Sequence, residues 1–367
     1  MLTADIAIIG AGIAGASLAA ELAALLPQER IAVFEAEPQP GYHATGRSAA
    51  FWDECYGGPQ IVPLTQASGP YLAECGVLAP RGALYLGPPG EDAAVANFLA
   101  AYAGSGVTLQ PMGRTELGAQ VPGLRGGWDS GVWQPACADI DVAALHAHYL
   151  ARARSAGVDL RTRAAVAEIH RTAAGWRLVG HGVALDCGTL VNAAGAWADE
   201  VARLAGIGQL GITPLRRTMV QLRVDPPPPP DLPLVIGMDG SFYFRPDGAR
   251  LWLSPHDEIP SAPCDAAAEE LDVALALHRF GEVADWPVAA IEHRWAGLRS
   301  FAPDRLPVYG RDPRDGAFVW FAGQGGFGIQ TAPAAARLTA QLLAGAPRDS
   351  LTDRLDPALY APERLAA

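Results

Sequence analysis

The sequence predicts an α/β protein: one domain of parallel strands doubly wound with helices, joined to an α+β domain built on a mainly antiparallel sheet. Three observations predict it. A short apolar strand is followed at once by Gly10, Gly12 and Gly15 and then by a helical run. A second strand, glycine loop and helix stand near the end of the chain, at Phe318–Ala322, Gly323–Gln330 and the alanine-rich segment from Thr331. The 367 residues exceed one ordinary compact core, which leaves enough chain between these units for a second domain.

At the amino terminus, Ile6–Ile9 reads as a strand, Ile13–Leu26 as a helix ended by Pro27, and Ile31–Phe34 as a second strand. Gly10 permits the tight turn, Gly12 lets the backbone approach a pyrophosphate, and Gly15 lets helix and strand pack closely. The helix N-terminus then turns amides toward the phosphates, where its dipole favours negative charge. Glu35 stands twenty residues after Gly15, where a carboxylate accepts hydrogen bonds from ribose hydroxyls. The unit is a Rossmann-like dinucleotide site. Hydropathy alone reads Ile6–Leu26 as a signal or membrane segment. No Lys or Arg precedes it, Asp5 and Glu21 bracket it, and the glycines interrupt it, so it is structure rather than targeting.

Composition narrows the class. A net charge of −12 and a pI near 5.1 argue against nucleic acid or anionic lipid as the main partner. All 27 basic residues are Arg, so an Arg is informative here only by its context. Cys55, Cys75, Cys137, Cys187 and Cys264 are scattered without a CxxC, which reads as reduced thiols in a cytoplasmic protein. No metal site is expected: His146 and His148, two apart, point to different faces of a helix. Pro226–Pro230 reads as a stiff surface connection.

The glycine fingerprint alone does not separate FAD from NAD. Three further segments do so by their order along the chain. Gly41–Ser48 is a polar, glycine-punctuated loop carrying Arg47; Thr189–Trp197 is a strand entering a small-residue turn; Gly323–Gln330 opens the last helix. That last loop aims amides outward, where they stabilise the negative charge of a reduced flavin.

With these segments in place, the chain resembles the amine-oxidising flavoproteins that include D-amino-acid oxidase, glycine oxidase, sarcosine oxidase and the bacterial D-amino-acid dehydrogenases, with the D-arginine-dehydrogenase type nearest. The motifs carrying the resemblance are GAGIAGAS (Gly10–Ser17), QPGYHATGRSAA (Gln39–Ala50), ADID (Ala138–Asp141), LVNAAGAW (Leu190–Trp197), SFYFRPDG (Ser241–Gly248), WAGLRSF (Trp295–Phe301) and AGQGGFGIQT (Ala322–Thr331). The resemblance implies non-covalent FAD. Some members tether flavin through a His near this loop, but the pattern around His43 is similar to the non-covalent branch. It places the flavin against Ala14, Glu35 with Ala36, the loop Ala44, Thr45, Gly46, Arg47, Ser48, Ala49, Ala50 and Phe51, then Val166, Gly195, Trp197, and Gly325, Gly326, Phe327, Gly328, Ile329, Gln330 and Thr331. It assembles an FAD domain from residues 1–50, 135–215 and 300–367, and a substrate domain from 51–134 and 216–299.

The same resemblance puts the substrate carboxylate at Arg217, Tyr243 and Arg299 with Tyr56, in a pocket that includes Phe51, Asp53, Ala83 and Gly326. An Arg fork is the group for clamping a carboxylate while the α-carbon is held for reaction. Arg299 stands in the apolar context WAGLRSF, where an unpaired charge is costly. Arg216 lies beside Arg217, and sequence alone leaves open which faces inward. The implied reaction is oxidation of a D-amino acid by hydride transfer to flavin, with hydrolysis of the imine to a 2-keto acid and ammonia. Oxidation of an N-substituted glycine, a nicotinamide dehydrogenase and a non-catalytic redox sensor stay open beside it, as do the electron acceptor and the oligomeric state. The arginine-preferring type carries an acid just after a Pro-Arg pair, whereas here Pro80-Arg81 is followed by Gly82 and Ala83. Neutral and aromatic D-amino acids are therefore expected if Asp53 caps a turn, and basic ones if Asp53 enters the pocket.

Overall fold

The computed structural model describes residues 2–91 and 93–365. Met1, Asp92, Ala366 and Ala367, which fall in the expected segments 1–50, 51–134 and 300–367, lie outside the described residues. Two large sheets and a small one carry the fold.

The first sheet has eight strands. The strand Leu2–Ile9, longer than its sequence suggests, pairs in parallel with Ile31–Phe34 on one side and with Val183–Asn192 on the other. Phe318–Ala322 pairs in parallel with the far half of Val183–Asn192. In register, Ile9 lies beside Phe34 and Asn192, and Asn192 beside Trp320. Four carboxyl ends therefore open on one edge, where doubly wound sheets bind ligands.

The helix Ile13–Leu25 is apolar on nearly every side because it is buried on nearly every side, under Val142–Ser155 and Gly328–Ala344. Its one acidic side chain, Glu21, is buried and accepts from Arg152 at 2.7 Å and Arg337 at 3.1 Å. The last helix begins at Gly328, three residues before the alanine-rich run suggests.

The second sheet has nine strands, antiparallel except where Ala83–Leu86 runs parallel to Leu234–Gly237. Its spine is Thr213–Val224, paired along its length with Val288–Phe301. The prolines 226–230 link this spine to Leu234–Gly237. Phe51–Trp52 and Leu78–Pro80 flank Ala138–Ile140 in the small sheet.

The helix Val62–Glu74 sits differently from the expected domain division, which put residues 51–134 with the second sheet. It packs on Gly328–Ala344 and contributes Leu64 and Leu72 to the core of the first unit. The close approach comes from small residues: Ser68 Oγ accepts from the Ala334 amide at 3.2 Å.

Gly15 sits where a Cβ would stand 1.9 Å from the carbonyl oxygen of Gly10. Gly15→Ala is expected to cost about 1–3 kcal/mol through overpacking, seen as a thermal midpoint lower by several degrees and a reduced FAD content. A variant with unchanged melting and full FAD would show that helix and turn do not meet so closely.

Candidate active site

One cavity of about 490 Å³ runs from the carboxyl ends of the first sheet to the inner face of the second. Its near end is backbone. Gly10 adopts φ +101°, and a Cβ there would lie 2.5 Å from the Ala193 carbonyl oxygen. The Ile13 amide donates to Thr45 Oγ1 at 2.9 Å. The amides of Gly12 and Ala14, both lining the cavity, have no protein acceptor among the described residues. Free amides at a helix start are a phosphate site. Glu35 accepts from the Ala11 amide at 2.9 Å through one oxygen and from Glu37 N at 3.0 Å through the other. Carboxylate oxygens accept more than once, so Glu35 still offers lone pairs to a ribose. These residues fit FAD: they leave room where a Cβ would intrude and unpaired donors where phosphates go.

The far end is cationic. Strand alternation sends Arg217 and Met219 to the cavity and Arg216 and Thr218 to the other face. Arg216 pairs there with Glu269 and, at 2.8 Å, with Asp272. Arg217 is buried; its Nε donates to the Asp257 carbonyl at 2.6 Å and its Nη2 to Glu258 at 3.4 Å, while its Nη1 is buried without an acceptor. Burial first, and then the Arg299 guanidinium, pull the Arg217 pKa below the usual guanidinium range. Arg299 donates through Nη1 to the Tyr56 hydroxyl and through Nη2, at 3.5 Å, to that of Tyr243. Among the described residues no carboxylate lies within 4.0 Å of it. Tyr243 in turn donates to Met219 Sδ at 2.9 Å. A Cβ on Gly326 would lie 2.8 Å from Arg299 Nη1 and 2.9 Å from the Tyr56 hydroxyl, so only glycine leaves the fork in place.

The structure gathers Gly10, Gly12, Ala14, Glu35, Ala36, Ala44, Thr45, Arg47, Ser48, Ala49, Val166, Gly195, Trp197, Gly325, Gly326, Gly328 and Ile329 around this cavity, with Arg217, Tyr243 and Arg299. Tyr56 joins them through Arg299. Other expected positions lie elsewhere. Phe327, Gln330 and Thr331 share the opposite face of the last helix, as spacings of three and four require. Phe327 packs with Ile61 and Phe301, Gln330 donates to Thr65 Oγ1 at 2.9 Å and the Tyr56 carbonyl at 3.1 Å, and Thr331 bonds its own helix. Gly46 closes a turn onto the Gly41 carbonyl, and Ala50 packs against the first core. Gly15 stands behind Gly10. Phe51 is core, edge-on to Tyr56 and Tyr243. Ala83 is fully buried within the second sheet.

Arg47, expected as a cation for the cofactor, lines the cavity but spends its donors on protein. They go to Asp265 and to the carbonyls of Ala266 at 2.7 Å and Ala296 at 3.1 Å. Met219, Gly297, Cys264 and Ala266 also line the cavity and were not anticipated. Alternation from Arg217 and Arg299 points to Met219 and Gly297; nothing local points to Cys264 or Ala266.

A dinucleotide cradle that opens into a cationic recess is the arrangement of a flavin-dependent oxidoreductase. The chain belongs to the DAO family, described as FAD dependent oxidoreductase, which it matches over residues 5–342, and FAD is its cofactor. It is 31% identical over 261 residues to glycine oxidase of Pseudomonas aeruginosa, covering 67% of this chain and 66% of that protein. It is 28% identical over 180 residues to FAD-dependent oxidoreductase domain-containing protein 1 of Xenopus laevis, covering 43% of this chain and 35% of that one. The matches thus span about a third to two thirds of these relatives' length. The fold is shared with the crystal structure of glycine oxidase from Geobacillus kaustophilus, at 24% identity and TM-score 0.84 over 98% of both chains. L-proline dehydrogenase from P. horikoshii shares it too, at 22% identity and TM-score 0.85 over 100% of this chain and 98% of that one. No helix among the described residues is long and apolar enough to cross a membrane.

Asp53 lies outside the cavity. It is fully buried, accepting from the Cys55 amide at 2.8 Å and the Tyr85 hydroxyl at 2.8 Å, so it caps its own turn. Burial pushes its carboxyl up to about 6, against the lowering effect of those hydrogen bonds. A pKa raised on folding contributes stability that is present below the unfolded value and lost as pH rises through the folded one. Wild type minus Asp53→Asn stability is therefore expected to be greatest near pH 4 and to fall toward pH 7. The total is on the order of 3 kcal/mol at about 1.4 kcal/mol per pKa unit. Urea unfolding of both proteins across that range checks it; a difference that stays flat or grows with pH contradicts it.

Proposed function

We propose that the protein oxidises the carbon–nitrogen bond of a carboxylate-bearing amine, and that its preferred substrates are D-amino acids with neutral or apolar side chains. One observation carries the reading. Two guanidinium groups meet in the cavity: Arg299 has no carboxylate within 4.0 Å among the described residues, and Arg217, beside Glu258 at 3.4 Å and Asp257 at 3.7 Å, keeps a buried, unpaired Nη1. A substrate carboxylate gives Arg299 its ionic partner and Arg217 Nη1 its acceptor, and relieves their mutual repulsion. Tyr56 and Tyr243 hold the Arg299 fork by accepting from it, which orients the carboxylate and with it the amine-bearing carbon. FAD, when bound, supplies the two-electron acceptor. The amine reacts in its neutral form, with its lone pair available.

The side-chain preference follows from the acids. Asp53 is capped and buried, and Ala83 stands where an acid is expected in the arginine-preferring type. Glu258 is engaged by Arg305 at 2.8 Å as well as by Arg217. Beside Arg217 and Arg299 a cationic side chain therefore finds no free carboxylate among the described residues, and leaving it unpaired is costly. The D configuration rests on the motif resemblance. The similarity to a glycine oxidase supports a second reading, an N-substituted glycine, which the same clamp serves. Anaerobic mixing with D- and L-amino acids, N-alkyl glycines and 2-hydroxy acids separates these readings by which of them bleaches the flavin. Bleaching by D-Arg well ahead of D-Met and D-Phe contradicts the side-chain assignment, and bleaching by hydroxy acids alone contradicts the amine.

Arg299→Met is expected to keep its yellow FAD and to lose a hundredfold or more in kcat/KM, the scale of about 3 kcal/mol or more for breaking a buried charged contact. Arg217→Met is expected to follow it. Arg216→Met loses stability, because Asp272 is left buried without its partner, while turnover per mole of bound FAD changes little. Near-normal kcat/KM in both Arg217→Met and Arg299→Met would place the carboxylate elsewhere.

A further inference from the structure

Residues 261–269 form an irregular segment between the strand Ile259–Pro260 and the helix Glu270–Val283, and none of them is buried. An exposed stretch with so little packing opens at low free energy. Yet Cys264 and Ala266 line the same cavity as Gly12, Glu35 and Arg299. Its ends are tied to its own sheet: the Ser261 amide donates to the Pro214 carbonyl at 3.0 Å, and Glu269 accepts from Arg216. Its middle is tied across the cavity to the glycine-punctuated loop of the first unit. Asp265 accepts there from Arg47 and, at 3.0 Å, from the Tyr42 hydroxyl, and the Ala266 carbonyl accepts from Arg47 at 2.7 Å. The Arg47 guanidinium also lies 5.3 Å over the Tyr42 ring, which fixes its direction.

We propose that residues 261–269 are a strap forming the outer wall of the FAD site, and that Asp265 is its latch. The strap joins the two units over the cofactor. Its closure depends on an ion pair whose carboxylate is 60% exposed, so it is held by an interaction that salt screens. Asp265 is thus a cofactor-retaining residue that never touches the reacting atoms.

The test uses the purified holoenzyme and follows FAD release by recovery of free-flavin fluorescence after dilution, at low salt and at 0.5 M NaCl. Wild-type release is expected to quicken severalfold with salt. Asp265→Ala is expected to release FAD about threefold faster at low salt, within the range of an exposed ion pair, and to have lost most of the salt response. Tyr42→Phe falls between. The thermal midpoint of Asp265→Ala, governed by the buried cores, moves little. FAD release from Asp265→Ala equal to wild type at both salt concentrations overturns the proposal. So does faster release that keeps the full salt response and tracks a lowered thermal midpoint, since that marks a merely structural residue.

Discussion

Two guanidinium groups share one buried recess, and the arrangement of the substrate end follows from making that tolerable. Like charges in a low-dielectric site repel strongly unless something accepts from them. The chain gives Arg299 neutral acceptors, the hydroxyls of Tyr56 and Tyr243, and gives Arg217 the Asp257 carbonyl, with carboxylates only at longer range, Glu258 at 3.4 Å and Asp257 at 3.7 Å. Asp257 itself turns its carboxylate to the Thr218 amide and hydroxyl. Arg299 is held in direction with no carboxylate within 4.0 Å among the described residues, and Arg217 keeps its Nη1 without an acceptor. A site built this way binds an anion firmly and needs little reorganisation to do so.

The opposite end of the cavity solves a different problem with the same economy of side chains. Phosphates are met by backbone amides and a helix start, and the glycines keep that backbone close to the carbonyls of its neighbours. Between the two ends the wall comes from both sheets. Gly326 gives way to the Arg299 fork, and Gly297, paired with Arg217 across the strands, leaves its place on the wall to backbone. The two units are therefore not separable into a cofactor half and a substrate half. Even the helix Val62–Glu74, adjacent in sequence to the second unit, is packed into the first.

What could be read from the sequence is what local backbone imposes. A glycine turn between a strand and a helix has few conformations, and the fingerprint at Gly10, Gly12 and Gly15 and the late loop at Gly323 both announced themselves. Arg216 and Arg217 could not be told apart, because both faces of their strand are covered and the apolar pattern does not alternate cleanly. Phe327, Gln330 and Thr331 were assigned to the cofactor by motif, but the helix starting at Gly328 turns them to the core. Asp53 and Arg47 depended on partners far along the chain, Tyr85 and Asp265, which no spacing reveals. The corrections share one cause: motifs locate backbone well, and side-chain direction only when strand or helix phase is known.

The central claim is that Arg299 and Arg217 await a carboxylate. The most direct measurement is a titration of the holoenzyme with a carboxylate that carries no oxidisable amine, such as benzoate, followed by the flavin difference spectrum. A saturable spectral change in wild type, at least tenfold weaker in affinity for Arg299→Met and absent with benzamide, is the predicted result. Equal affinity for benzoate and benzamide, unchanged by the substitution, would contradict the account.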